Sequence, residues 1–458
     1  MNLRRKTAAL FLVILTVLAL STAALAKKQP VVVWGLNVYD PGTAAMVEKF
    51  NATNEKYEII AEVPVGAAGQ TLESMVKLMT AIASGTGPDV TTMDRFVVAG
   101  WALRGTLTPL NDLIERDGFD IGQYMSWAVE EVTLGDKYYG LPHNADSRAF
   151  YWNKDHFAEA GLDPDTPPAT WDEFVDYALK LTKRDARGRL LRVGTYSSTS
   201  SWHYIHTFGL GGQFLSDDGR TALLNAPETV RGIEMIVDLI DKLGGVEELG
   251  TYTEGFAGYA EDSPSNPFLM EDVSMMLGQS PLVGTIARYK PELNFGIGFH
   301  PVLDPEVGPV TYGGGWAWVI PQGAKNLEGA WEVIKWLTTE GHVVRAEGDY
   351  EYNQSMGRPY VPRETTNIAV DTMLFEKYGS MLEHEHLRKA LDVVLELYGK
   401  IRMRFLSPEG QLIRAQLSSA YEGALYHRGT AQELLDSANA VVQEALDKFW
   451  KDYDAGRL

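Results

Sequence analysis

The sequence predicts an α/β protein built as two lobes, and three observations carry that reading. Short β-branched runs alternate with amphipathic helical stretches at the spacing of a parallel, doubly wound sheet. The same alternation resumes after different material and ends on a return strand, which implies that the chain crosses between lobes several times. The length, 458 residues, exceeds what one ordinary domain needs, at roughly 100–200 residues each.

Val31-Val32-Val33-Trp34, ended by Gly35, reads as a buried strand. Thr43 to Asn54 reads as a helix with Met46, Val47 and Phe50 on one face, and Tyr57 to Val65 as a second strand. From Thr71 the apolar residues Leu72, Met75, Val76, Met79, Ile82 and Ala83 follow a helical period, stopped at Gly85. Pro88-Asp89-Val90 leads into a third strand. Ligands of such sheets bind beyond the carboxyl ends of the strands. Past Gly140-Leu141-Pro142 comes an extended run through Ala149-Phe150-Tyr151-Trp152, then a helix from about Asp155. Thr170 and Glu173 form a capping box that opens the next helix. Glu228 to Leu243 is helical by period. Val273 to Leu277, Phe295 to Phe299 and Trp316 to Ile320 are strand candidates. Ala330 to Leu337 is a helix with Trp331, Ile334 and Leu337 inward, and from Leu374 onward the chain is almost all helical.

Residues 1–26 read as a secretory signal peptide. Arg4, Arg5 and Lys6 precede an apolar stretch from Ala8 to Leu20, and Ala24-Leu25-Ala26 supplies the small residues a signal peptidase reads. The apolar run is shorter than the ~20 residues a membrane span needs. A formal charge of −20 opposes phosphate backbones, so nucleic acid is not an expected partner. The absence of cysteine excludes disulfides, thiolate metal sites, cysteine nucleophiles and cysteine-linked lipid anchors.

Motifs for chemistry are sparse. His384-Glu385-His386, placed on a helix, points its two imidazoles to different faces, so no metal is expected there. Gly313-Gly314-Gly315 lacks the spacing and the Lys-Ser/Thr of a phosphate loop. No nucleophile elbow occurs, and no spacing singles out a glycosidase pair. We therefore expect neither enzyme activity nor a cofactor. Polar and aromatic residues gather instead at strand ends: Trp34 and Asn37, Asp94 and Arg95, Asp146, Trp202, Gln279, Gly314 and Trp316, with Arg358 further on. Carboxylate, amide and guanidinium groups can fan hydrogen bonds onto hydroxyls, while flat rings cover the C–H face of a sugar.

Several segments in fixed order resemble the extracellular solute-binding proteins of ATP-driven importers, in the sugar-binding family that includes maltose-binding protein. They are Ala83 to Val90, Gly105-Thr106-Leu107-Thr108-Pro109-Leu110, Tyr139-Gly140-Leu141-Pro142 with Tyr151 to Asp155, Trp171-Asp172-Glu173-Phe174, Gly211 to Phe214 with Asp217-Asp218-Gly219, and Ala330 to Leu337. The resemblance implies a periplasmic-binding-protein fold with three crossings and a ligand cleft between the lobes. One lobe would hold residues 27–143 and 313–362, the other 144–312 and 363–458. It further implies sugar binding by Asp94 and Arg95, with Asp146 as a hydroxyl-binding acid and Trp202 as a stacking ring. At Gly278-Gln279-Ser280-Pro281 the chain departs from the family, offering Leu282 where an aromatic often stands, which argues against a long maltodextrin. The expected protein is an exported monomer, periplasmic or extracytoplasmic, that passes a carbohydrate to membrane permease subunits. The alternative is the same fold binding a polyamine, an amino acid or a metal chelate.

Overall fold

The computed structural model describes residues 27–62, 72–196, 201–254 and 263–457. The leader therefore lies outside the described residues, as do positions 63–65 of the second expected strand. Among the described residues the chain forms two main sheets. The first has five strands in the order Tyr57–Glu62, Gln29–Trp34, Val90–Asp94, Trp316–Val319, Leu141–Pro142. The first three run parallel, as their helical connections require; the last two join antiparallel.

Side chains alternate across this sheet, so its two faces hold different cores. Trp318 packs with Val31, Val33 and Phe50 beneath the helices Pro41–Thr53 and Leu327–Leu337. Its neighbours Ala317 and Val319 pack on the opposite side with Phe96, Val97 and Trp101 of the helix Arg95–Leu103. Trp331, Ile334 and Leu337 are buried, as their spacing predicts.

The second sheet has seven strands. Asp146–Asn153 pairs antiparallel with Val273–Gln279, Phe295–Gly298 and Thr311–Gly314, and Leu190–Tyr196 runs parallel beside Val273–Gln279. One large core joins this sheet to the C-terminal helices Glu385–Tyr398, Gly410–Leu425 and Ala431–Asp454. The capping box at Thr170 is present and opens the helix Trp171–Leu181.

The chain passes from the first sheet to the second between Pro142 and Asp146, and returns between Gly314 and Trp316. A third passage leaves the helix Glu340–Ser355, which packs along Pro41–Thr53, and enters the helices that cover the second sheet.

Two local expectations change. In the helix Leu72–Ala83, Val76 and Met79 are exposed at 53% and 43%, and Leu78 turns inward instead. Leu78 packs in a core with Met93 and Phe96, with Ile82 against it, so the buried face is turned from the expected one; the side chains of Leu72 and Met75 lie outside the described residues. His384 is the N-cap of Glu385–Tyr398 rather than part of it, so its ring lies 5.4 Å from that of His386. His386 Nε2 meets the carbonyl of Pro291, and no group of three metal-ligating side chains occurs among the described residues.

Candidate functional site: a charged cluster at the crossings

Asp94 ends a strand of the first sheet and caps the helix that follows, accepting from the Phe96 N–H at 3.3 Å. The next side chain, Arg95, turns inward and is fully buried. A buried charge must be paired and hydrogen-bonded. Arg95 Nε donates to Glu131 at 2.8 Å, and both side chains are 0% exposed. One terminal nitrogen donates to the carbonyls of Asn144 (2.6 Å) and Trp316 (3.3 Å), the other to that of Gly314 (2.5 Å). Asn144 lies in the first crossing, and Gly314 and Trp316 flank the second. A single guanidinium thus ties both crossings to the first sheet. It also lies 5.0 Å from the Trp127 ring.

Arg404 approaches from the other half of the molecule, just after the strand Ile401–Arg402. It donates to Asp94 at 2.9 Å and to Glu131 at 3.0 Å. Burial works against its charge, but Asp94 and Glu131 overcome that and hold the guanidinium firmly protonated. Asp146, first residue of its strand, pairs with Arg148. Burial pushes the Asp146 carboxyl up, yet Arg148, then Arg404 and Arg95, hold it below the ordinary carboxylate value. Arg148 also donates to the Tyr312 hydroxyl at 3.0 Å and lies 4.6 Å from that ring. Three carboxylates and three guanidinium groups therefore meet where the chain crosses.

The triple glycine makes this approach possible. A Cβ on Gly313 would press on Trp127 and Ile401 at 3.0 Å, and one on Gly314 would meet Asp146 at 2.8 Å. Gly315 has φ +132°, and its Cβ would lie 2.2 Å from the Asn144 carbonyl oxygen.

Of the residues singled out in the sequence, Asp94, Arg95, Asp146, Gly314 and Trp316 come together here. Trp316 is half-buried, lies opposite Asp94 in register, and donates its backbone N–H to Asn144 Oδ1 at 2.7 Å. Arg95 is placed as a strut, because the hydrogen bonds above occupy four of its five N–H donors. The others stand apart. The Trp34 indole N–H is bonded to Glu62 at 2.9 Å. Asn37 is exposed and lines a separate cavity. Gln279 is opposite Arg148 in register, and its carbonyl accepts from the Tyr151 hydroxyl. Arg358 lies over the Tyr289 ring. Trp202 is in the first turn of the helix Ser201–Gly209, and its side chain lies outside the described residues. Sequence reasoning missed Glu131, Arg148, Tyr312 and Arg404. Glu131 reads as a surface charge in Val129-Glu130-Glu131-Val132, and no local pattern marks Arg404.

Two α/β lobes joined by chain crossings, with opposed charges converging between them, define a two-lobed solute receptor. The family model of the bacterial extracellular solute-binding proteins matches residues 39–343, and the chain belongs to that family. A binding protein of Brucella abortus (strain 2308) is 29% identical over 262 residues, 57% of this chain. The match spans 61% of that relative's own length. The sn-glycerol-3-phosphate-binding periplasmic protein UgpB of Escherichia coli (strain K12) is 26% identical over 425 residues, covering 89% of this chain and 90% of that one. Among solved structures, CpMnBP1 with mannobiose bound superposes with a TM-score of 0.72 at 23% identity, covering 90% of this chain and 99% of the other. The substrate-binding protein Lmo0181 of Listeria monocytogenes, in complex with cycloalternan, gives 0.73 at 18% identity, covering 92% and 100%.

Proposed function

We propose that the chain captures a short carbohydrate between its two lobes, outside the cytoplasm, and delivers it to the permease subunits of an ATP-driven importer. It acts as a monomer, without catalysis and without a resident metal. The lobes are residues 27–143 with 313–362, and 144–312 with 363–458. Gly313 and Gly314 pair in the second sheet and Trp316 in the first, which supports a crossing near Gly315, two residues beyond the expected boundary.

The observation that carries the reading is the charge balance of the cluster. Asp94, Glu131 and Asp146 offset Arg95, Arg148 and Arg404. Such a site presents acceptors and donors without net charge, which suits the hydroxyls of a neutral sugar. A phosphate ester, as the name of the Escherichia coli relative suggests, would call for an excess of guanidinium. Asp94, Asp146, Arg148 and Arg404 keep some solvent access and would exchange the Asp94–Arg404 and Asp146–Arg148 pairs for sugar hydroxyls, while Arg95 holds the frame.

Calorimetry with mannobiose and with sn-glycerol 3-phosphate tests this. Mannobiose is expected to bind, to be recovered unhydrolysed, and to lose well over tenfold in affinity in Asp94→Ala, since losing one partner of a buried charged pair typically costs ~2–5 kcal/mol. Tighter binding of the phosphate ester, or wild-type affinity in Asp94→Ala, would refute the sugar assignment at this site.

A further inference from the structure

A cavity of ≈ 440 Å³, apart from the charged cluster, lies between the loop after the first strand, the first crossing, the helix Glu340–Ser355 and the third passage. Asp94, Asp146, Gly314 and Arg404 do not line it. Asn144 separates the two places: its carbonyl accepts from Arg95, and the residue also walls the cavity.

Unpartnered buried polar atoms concentrate on this cavity. Trp318 Nε1, His143 Nδ1, His342 Nε2, Arg345 Nε and Asp349 Oδ2 are all buried without a hydrogen-bond partner, and all five residues line it. Trp318, His342 and Asp349 are only 2%, 5% and 5% exposed. Arg345 Nε and Arg363 Nε stand 3.9 Å and 3.6 Å from Asp349 Oδ2, within ion-pair range but too far to hydrogen-bond. Buried polar groups are nearly always satisfied, so such a set calls for a guest. The space lies within the ~300–1,000 Å³ of ligand pockets and far exceeds the ~15 Å³ that one water needs.

The lining names the chemistry of the guest. Arg345 and Arg363 are matched by Asp40 and Asp349. His143 and His342 stack in parallel at 5.8 Å, and burial pushes both imidazoles toward the neutral form. Glu364 also lines the cavity, and burial pushes its carboxyl toward the neutral form, so the net charge offered is close to zero. Trp318 and Arg345 can only donate, Asp349 can only accept, and each imidazole nitrogen can do either. Each hydroxyl both donates and accepts, so a small polyol can meet all of these atoms at once.

We propose that this cavity is a second binding site, for a small neutral polyhydroxyl solute of glycerol to monosaccharide size. Its walls come from both sides of the first and third passages, so a guest here also braces the hinge.

The test is ¹⁹F NMR of the full mature chain labelled with 5-fluorotryptophan, with resonances assigned by Trp→Phe substitution. Trp318 reports this cavity, and Trp127, beside Arg95, reports the charged cluster. Glycerol and D-mannose are titrated, with D-gluconate as the anionic control. A saturable shift of Trp318 by glycerol or D-mannose is expected, unchanged in Asp94→Ala and weakened at least tenfold in Arg345→Lys and Asp349→Asn. Either variant suffices should the other fail to fold. No Trp318 shift with either polyol, equal binding of gluconate, or loss of the shift in Asp94→Ala would overturn the proposal. A Trp127 response alone would support the sugar reading of the cluster and remove this second site.

Discussion

At the scale of single residues, Arg95 and Asp371 show how burial decides a role. Arg95→Ala removes one of the two guanidinium partners of Glu131, itself 0% exposed, and four hydrogen bonds in all. Truncating one side of a buried pair costs about 3–5 kcal/mol. Urea unfolding of Arg95→Ala is expected to shift to a markedly lower midpoint, whereas Asp94→Ala loses mainly binding. A stability unchanged in Arg95→Ala would show that the strut bears no weight. Burial raises the Asp371 carboxyl to about 7, against hydrogen bonds from Thr365. Its Oδ2 has no partner, which suits a protonated oxygen. The folded state then holds a proton that the unfolded chain, with its carboxyl near 3.8, releases earlier. Stability from this group is full below about pH 4 and is lost as pH rises to about 7. Asp371→Asn should remove that decline, so the difference in stability between variant and wild type should grow from pH 4 to 7 and then stay level. A constant difference would contradict the assignment.

At the scale of elements, packing distances fix which glycines cannot change. Gly194 sits in the strand Leu190–Tyr196 under the helix Trp171–Leu181, and a Cβ there would lie 1.8 Å from the Ala178 carbonyl oxygen. Backbone cannot yield as a side chain can, so Gly194→Ala is expected to cost about 3 kcal/mol, the top of the usual range for overpacking, read as a lowered Tm. Thr170→Ala, which only removes the cap of that same helix, should cost about 1 kcal/mol. A reversal of that order would mean that the helix lifts freely from the sheet. The cap was legible in the sequence because it depends on residues three apart. The clash at Gly194 was not, because Ala178 belongs to a different element.

At the scale of the whole molecule, the two halves are tied by a few charged contacts. Arg404 reaches Asp94 and Glu131, and Arg104 reaches Glu409 at 2.8 Å and the Pro408 carbonyl at 2.7 Å. Hinge closure in such folds is set by differences of this size between two states. Arg404→Met keeps the length of the side chain but removes both ties. Small-angle scattering of the ligand-free protein should then give a larger radius of gyration than wild type. Identical radii would show that other contacts hold the halves together. The Arg404 ties are partly buried and should withstand added salt better than the more exposed Arg104–Glu409 pair.

The sequence by itself determined the α/β class, the order of the elements and the first sheet's parallel core, because periodicity and caps are local and burial follows them. It also marked Asp94, Asp146 and the glycines at the second crossing, since strand ends and glycine runs stand out in one dimension. Only the tertiary structure decided what those residues touch. Arg404 meets Asp94 from 310 positions away, and Arg95 spends its donors on carbonyls of two crossings that no local pattern brings together. The cavity lined by Trp318, Arg345 and Asp349 was equally invisible, because a cavity is a property of the space between elements. Local interactions write secondary structure into the sequence; the positions of charges across a hinge depend on how whole elements pack, and packing is settled only when the chain has folded.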